Sequence, residues 1–361
     1  MWIDGEPKGT TPLVHYFSKQ SPEFAIRIER VGCEPRELRH VDNGTPRLSI
    51  QLSRAAMATG ALLGGLDRPA VPIPGHIVVP CRDGRVYVLP GDSKVVKLAS
   101  QVLAGGEPGH PSARVLVSGD SLVIAAFNGD LHCVNYRSWE TEWTVRLDAP
   151  ILAATVGPAG STIIGDEAGN ILLFDVASGR ELARFEAGFP IDRLALRGDV
   201  LVATDRTRRV RTFELPTFEV LADTVVNDAI AGVLWDGSIL LSNGTRQSIE
   251  GNVHWPSPLT EVVRRDGVGV YGGDQKWVEI RDGSATAFPA PTAIACTPLP
   301  IDEVAYLGGA DGQIYCVNRR GDVLWSLETE SVPVDLLRTS EGTILALLRS
   351  GQLLLVEGTQ P

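Results

Sequence analysis

No two cysteines in this chain stand in a Cys-x-x-Cys spacing. The five present, Cys33, Cys81, Cys133, Cys296 and Cys316, are odd in number and irregularly placed. Paired thiolates for a structural zinc are therefore missing, and several of the five fall inside apolar alternating runs, where cysteine acts as a small hydrophobe. Long apolar runs are missing as well: none approaches the roughly 18 residues of a membrane-spanning helix. The opening stretch MWIDGEPKGTTPLVHYFSKQ lacks a basic segment followed by an apolar one, so neither an export signal nor a lipoprotein signal is read there. An excess of positive charge is also absent. Lys and Arg total 33 against 44 Asp and Glu, a net charge of −11, which argues against a nucleic-acid binder working through bulk electrostatics. These absences lead to the expectation of a soluble cytoplasmic protein with reduced thiols, without a membrane or nucleic-acid partner.

Motifs of catalysis are equally scarce. There is no Gly-x-Ser-x-Gly elbow. The six histidines, His15, His40, His76, His110, His132 and His254, show neither an HExxH motif nor any paired spacing. His132 alternates with Cys133 on an apolar run, which suits a half-buried sheet position.

What the chain does have is a repeat. Glu303–Leu327 shows its unit: an apolar strand, a Gly/Asp turn, an alternating strand, an Arg-Arg-Gly-Asp turn and a third strand that includes Trp325. Short alternating runs cut by Gly/Asp pairs are hairpin chemistry. The strand–turn–strand core recurs at 76–89, 122–135, 162–175, 200–214, 239–251, 268–280, 303–318 and 343–358. Its turn residues Gly84, Gly129, Gly169, Arg209, Gly312 and Gly351 are separated by 45, 40, 40, 103 and 39 residues, and the long gap holds two weaker turns near Arg246 and Asp274. A period near 40 with several strands per unit predicts a β-propeller.

The other half of each unit agrees. A third strand is followed by a proline (Pro111, Pro150, Pro190, Pro258, Pro291 or Pro333) and a fourth strand ending in Gly or Asp. Proline at a strand mouth pre-sets φ and offers no ladder donor. The expected fold is all-β: one closed propeller of four-stranded blades, eight by copy count, or seven if the short copy at 239–257 merges with its neighbour. With strands lettered A to D from channel to rim, the proline-led strand is A. The last copy lacks a strand D. An open blade edge invites aggregation, so an N-terminal strand, Phe24–Val31 or Arg47–Leu52, is expected to supply it. Residues 1–74 are read as the N-terminal segment carrying that strand, with the repeats in 75–361. Ser53–Leu63 is Ala-rich behind Ser53 and reads as a short helix.

The C-to-D passages 134–147, 174–185 and 317–327 resemble the pyrroloquinoline-quinone-like propeller repeat, with Asn135 eight residues before Trp143 and Asn318 seven before Trp325. After Asp175 the matching place holds Ala183. The resemblance covers about Gly75–Gly358. It implies that Trp143 and Trp325 dock neighbouring blades. It also implies a range of roles, among them quinone dehydrogenases, outer-membrane assembly lipoproteins and non-catalytic scaffolds, some of which act beside a MoxR-type ATPase and a von Willebrand A-domain protein.

Quinone dehydrogenases of that family are longer and exported, and carry calcium. The acidic turn Asp166–Asn170 is the nearest approach to a cation loop, and a hairpin turn needs the same residues. No metal and no cofactor are expected. Strands of a blade place the B–C turns and D–A connectors on one face. On it, Arg206, Arg208, Arg209 and Arg211 form a basic cluster in an acidic chain, with Lys276 on a second B–C turn. Phe189, Trp255 and Phe288 stand before prolines near D–A connectors. Arginine beside exposed aromatics is the composition of a protein-binding hot spot; packing between blades is the competing reading for the aromatics, and a solvated turn for the arginines. The expected function is a non-catalytic scaffold binding a protein across this face. The alternative is a small-ligand site or quinone-dependent enzyme at the channel mouth, built from residues such as Asp205, Arg206, Asp274 and Lys276.

Overall fold

Each B–C turn reverses the chain through one residue in the left-handed region. These are Gly84, Gly129, Gly169, Arg208, Gly244, Gln275, Gly312 and Gly351, with φ between 52° and 93°. Six are glycine, which reaches this region without a Cβ clash. The fourth turn places the conformation on Arg208 (φ 81°), one residue before the arginine that the period picked out, and the sixth places it on Gln275. The same turn residue also fastens the rim. Its carbonyl accepts a hydrogen bond from the first residue beyond strand D: Leu147 N to Gly129 O at 2.9 Å, Ala187 N to Gly169 O at 2.8 Å, Val226 N to Arg208 O at 2.9 Å, Trp255 N to Gly244 O at 2.7 Å.

This repeated unit builds the molecule. The computed structural model describes residues 58–356, apart from 63, 92–100, 105, 235–237, 249–250, 261–262, 266–267 and 283. It also describes the backbone of four N-terminal strands. Eight four-stranded antiparallel sheets follow one another as the blades of a β-propeller. Blade 1 comprises Val71–Ile73, His76–Pro80, Arg85–Pro90 and Gln101–Ala104, so its strand A precedes Gly75. Blade 2 comprises Arg114–Ser118, Ser121–Ala125, Asp130–Asn135 and Glu140–Arg146, and blade 3 Ile151–Val156, Ser161–Asp166, Asn170–Asp175 and Glu181–Glu186. Blade 4 runs through Arg193–Arg197, Val200–Thr204, Arg209–Glu214 and Glu219–Val225. The short copy does not merge with a neighbour: Ile230–Val233, Ile239–Leu241, Thr245–Ser248 and Gly251–His254 form a blade 5 of their own, which settles the count at eight. Blade 6 uses Val263–Arg265, Val268–Gly273, Lys276–Arg281 and Ser284–Pro289, and blade 7 Leu299–Ile301, Val304–Gly308, Gln313–Asn318 and Val323–Glu328.

Blade 8 takes Pro333–Arg338, Ile344–Leu348 and Gln352–Val356 from the C-terminal end, and its strand D is Ala58–Ala61. An N-terminal strand therefore closes the ring, but neither of the two expected. Phe24–Val31 overlaps the strand Glu23–Ile28, which belongs to a separate four-stranded sheet with Trp2–Ile3, Glu6–Pro7 and Arg36–Val41, while Arg47–Leu52 lies outside the described residues. The stretch read as a helix is extended over Ala58–Ala61, with Leu353 opposite Gly60 and Leu354 opposite Thr59. Its alanines carry helical propensity, but the unpaired edge of Gln352–Val356 outweighs it. Leu62 N then donates to Gly351 O at 2.9 Å, the same fastening that blades 2 to 5 use. Leu62 and Leu66 are 8% and 0% exposed. By area, burying two such leucines contributes on the order of 3–6 kcal/mol before ordering entropy.

The core lies between blades. Val123, Leu131 and Cys133 of blade 2 pack with Ile164, Leu172 and Phe174 of blade 3. Leu337, Leu345 and Leu347 of blade 8 pack with Leu66, Ile77 and Tyr87 at the start of the ring, so the last junction is built like the others. Among the described residues the junction of blades 4 and 5 is the thinnest, with Val202, Val210, Val226 and Leu241 buried.

Candidate functional site

The B–C turns are held by their own side chains. In blade 1, Asp83 accepts from Arg85 N at 3.1 Å and from the Tyr87 hydroxyl at 2.5 Å. In blade 2, Asn128 accepts from Asp130 N at 3.2 Å. Asp166 of blade 3 accepts from Asn170 N and Nδ2, both at 2.7 Å. In blade 4, Asp205 takes Thr207 N at 2.7 Å and Arg209 N at 2.8 Å. Asn243 takes Thr245 N at 2.8 Å and Asp311 takes Gln313 N at 3.2 Å and the Tyr315 hydroxyl at 2.5 Å. Each is a short polar side chain bonding its own backbone two to four residues on, the reason Asp and Asn suit turns. Burial and the Asp311 carboxylate push the Tyr315 hydroxyl up to about 12, so it stays a donor. Burial, with Asp83 and Asp67 nearby, pushes the Cys81 thiol up to about 12.

This accounting bears on the acidic candidates. Both oxygens of Asp166, 3% exposed, are engaged by Asn170, which makes the Asp166–Asn170 stretch a capped hairpin. Both oxygens of Asp205 serve its own turn. Asp274 and Lys276 are exposed in blade 6. No hydrogen bond or ion pair among the described residues links them to Asp205 or Arg206. Nor do the described residues contain a cluster of three or more His, Cys, Asp or Glu placed to hold a metal.

The arginines divide into two sets. Arg209 and Arg211 both bind Asp223 on the adjacent strand D, Arg209 through two bonds at 3.0 and 2.8 Å. Their guanidinium carbons lie 5.0 and 5.3 Å from the centre of the Phe189 ring, and Arg211 donates to Ala187 O at 2.7 Å. This set ties blade 4 to the connector leaving blade 3. Asp223, between two guanidinium groups, is held well below the usual carboxylate range. Arg206 and Arg208 form the second set. Arg206 reaches Asp192 at 2.8 Å with its side chain 74% exposed, and Arg208 donates to Asn227 O at 3.2 Å.

The aromatics are not presented to solvent as the hot-spot reading requires. Phe189 and Trp255 are each 6% exposed. Trp255 packs with Leu234, Leu240 and Tyr271 under the Arg246 guanidinium, 5.2 Å from its ring. Phe288 is half-buried, stacked on Trp277 with ring centres 4.4 Å apart, and Arg319 lies 5.1 Å from its ring. A connector residue just before a proline falls where one blade meets the next, and the apolar ring stays there. Of the residues nominated for partner contact, Arg206, Arg208 and Lys276 remain on the surface.

The two tryptophans of strand D lie between blades. Trp143 Nε1 donates to Val176 O of blade 3 at 2.7 Å, and a Cβ on Gly179 would stand 2.6 Å from the Trp143 ring. Trp325 packs with Tyr306 and with Leu336, Ile344 and Ala346 of blade 8. His132 is half-buried, its Nδ1 3.1 Å from Thr144 Oγ1, and burial lowers its pKa.

Sequence reasoning missed two buried acids. Asp335, 1% exposed, accepts from Leu336 N at 2.9 Å and from Ala70 N at 3.0 Å, joining blade 8 to the start of blade 1. Glu279, 3% exposed, holds Arg319 of blade 7 through two bonds at 3.3 Å. In both cases the available signal was a lone acid within an apolar run, PVDLL and KWVEI.

Comparison with known proteins supports the fold. No family model matches the chain and no curated protein matches it. Among solved structures it is similar to the computationally designed protein Ika8. That likeness has a TM-score of 0.64 at 15% identity and covers 84% of this chain and 99% of that one. It is similar also to Sqt1 of Saccharomyces cerevisiae, with a TM-score of 0.64 at 12% identity, covering 85% of this chain and all of the other. Among the described residues no helix is long and apolar enough to cross a membrane.

Proposed function

We propose that this chain is a non-catalytic cytoplasmic scaffold that binds a protein partner across the face carrying its B–C turns. The observation that carries this reading is the set of side-chain-locked turns: Asp83, Asn128, Asp166, Asp205, Asn243 and Asp311 each fix their own loop. Loops ordered before binding avoid much of the entropy cost of association, and a rigid ring offering many variable loops suits recognition. Arg208 and Lys276, beside Arg206 in its exposed pair with Asp192, place cationic side chains on this face of an acidic chain, which suits an acidic partner surface. The finer reading, a bacterial system that pairs a MoxR-type ATPase with a von Willebrand A-domain protein, rests on the repeat resemblance alone, without a residue motif of its own.

The test is affinity capture from the native cytoplasm with the full chain and with an Arg206→Glu/Arg208→Glu/Lys276→Glu variant. Arg209 is left intact because it binds Asp223. A stoichiometric protein that binds the native chain and is retained at least about tenfold less by the variant is expected, tenfold being about 1.4 kcal/mol. A partner held equally by both moves the interface elsewhere. No partner in either favours a small ligand at the channel mouth.

A further inference from the structure

Strand D is fastened differently in blade 4. In blades 1, 2, 3, 6 and 7 it lends at least one large side chain to the core between blades: Leu103, Trp143, Phe185, Phe288 and Trp325. Among the described residues, strand D of blades 4, 5 and 8 lends none. Blade 4 has the longest of these three. All seven residues of Glu219–Val225 are exposed, Val220, Leu221 and Val225 at 44%, 50% and 71%. The places that Trp143 and Val145 take in blade 2, and Trp325 and Leu327 in blade 7, hold Ala222 and Thr224 here, opposite Thr212 and Val210.

The strand is pinned at both ends. Phe218 N donates to Glu214 O at 2.7 Å and Val226 N to Arg208 O at 2.9 Å, and Phe218 and Val226 are both buried, in the cores on either side of blade 4. Between the pins it is held by its backbone ladder to strand C and by one side chain. Asp223 binds Arg209 through two bonds at 3.0 and 2.8 Å, and Arg211 through Nε at 3.0 Å. Among the described residues no other side chain of Glu219–Val225 makes an ion pair or a hydrogen bond to strand C. Lifting the segment between the pins therefore takes little apolar surface out of the core, because its side chains are already in water. In blades 2 and 7 the same movement must extract a tryptophan, and in blade 2 it also breaks the bond from Trp143 Nε1 to Val176 O. Local opening favours the segment with the least packing to lose.

We propose that Glu219–Val225 is a releasable strap, pinned at Phe218 and Val226, with Asp223 as its catch. It leaves strand C while the ring stays closed. Lifting it takes the Asp223 carboxylate away from Arg209 and Arg211, so two guanidinium groups near Arg206 and Arg208 lose their counter-charge. The strap is coupled in this way to the face proposed to bind a partner, but it stands whether or not a partner binds there. Hydrogen–deuterium exchange of the full chain tests it, read by mass spectrometry on peptides covering 219–225, 140–146 and 323–328. Protection over 219–225 should be at least about tenfold lower than over the other two. Asp223→Asn should lower it by about a further fivefold, the reach of two exposed ion pairs. Trp143→Ala should lower protection over 140–146 and leave 219–225 unchanged, because a local opening does not feel stability lost elsewhere. Urea below the unfolding midpoint makes the same distinction without a variant: it should barely change exchange over 219–225, since little surface is newly exposed there. Equal protection over the three peptides, or no effect of Asp223→Asn on 219–225, would overturn the proposal. So would a strap whose protection falls with Trp143→Ala or with urea as steeply as that of 140–146, since it would then open only with the whole ring.

Discussion

Asp223 shows how one side chain can explain a cluster that looks functional. Four arginines within six positions stand out in an acidic chain, yet two of them face this carboxylate and the Phe189 ring. Because Asp223 titrates below its ordinary value of 3.8, its contribution is complete above that value and is lost as pH falls through the folded one. Asp223→Asn should therefore lower the melting temperature at neutral pH, and the gap to the native chain should shrink as pH drops below 3.8. Thermal denaturation across pH would show it, and a gap constant down to strong acid would contradict it. At this scale the sequence was partly legible. Turn residues announce themselves through local chemistry, so Asp166 was found where a hairpin needs it, while Asp205, nominated for the channel mouth, proves to serve its own turn. Burial at connectors does not announce itself, because it depends on how closely the next blade approaches. For Phe189 and Trp255 the sequence left an exposed hot spot and packing between blades both open for that reason.

Among elements, strand D carries the logic of blade docking. Trp143 fills the space above Gly179 and donates to Val176 O across the junction of blades 2 and 3. Trp143→Ala should remove both, costing about 2 kcal/mol for a half-exposed tryptophan. Trp143→Phe should keep part of the packing but lose the hydrogen bond. Urea denaturation of both variants measures this, and an unchanged midpoint for Trp143→Ala would refute the docking role. Strands with a clear period-2 pattern and a Gly/Asp turn were legible, as was the need for a closing strand. Its identity was not. Ala58–Ala61 has no alternating apolar pattern of its own, and its conformation is imposed by the free edge of Gln352–Val356 nearly 300 residues away. Where Phe24–Val31 does alternate, that pattern serves a different sheet.

For the whole molecule, the repeat period made the propeller legible, because each blade is a local structure and the ring follows from stacking them. Function was less so, since turns of the same composition serve scaffolds and enzymes alike. The proposed role rests on a ring stiff enough to hold its B–C turns in place, and that stiffness depends on closure between the two ends of the chain. The most direct test compares two truncations, one beginning at Ala58 and one beginning at Leu62. The first keeps the closing strand and should remain monodisperse with cooperative unfolding near that of the full chain. The second exposes the edge of Gln352–Val356 and should aggregate or unfold at much lower temperature. Two truncations that behave alike would show that Ala58–Ala61 does not close the ring.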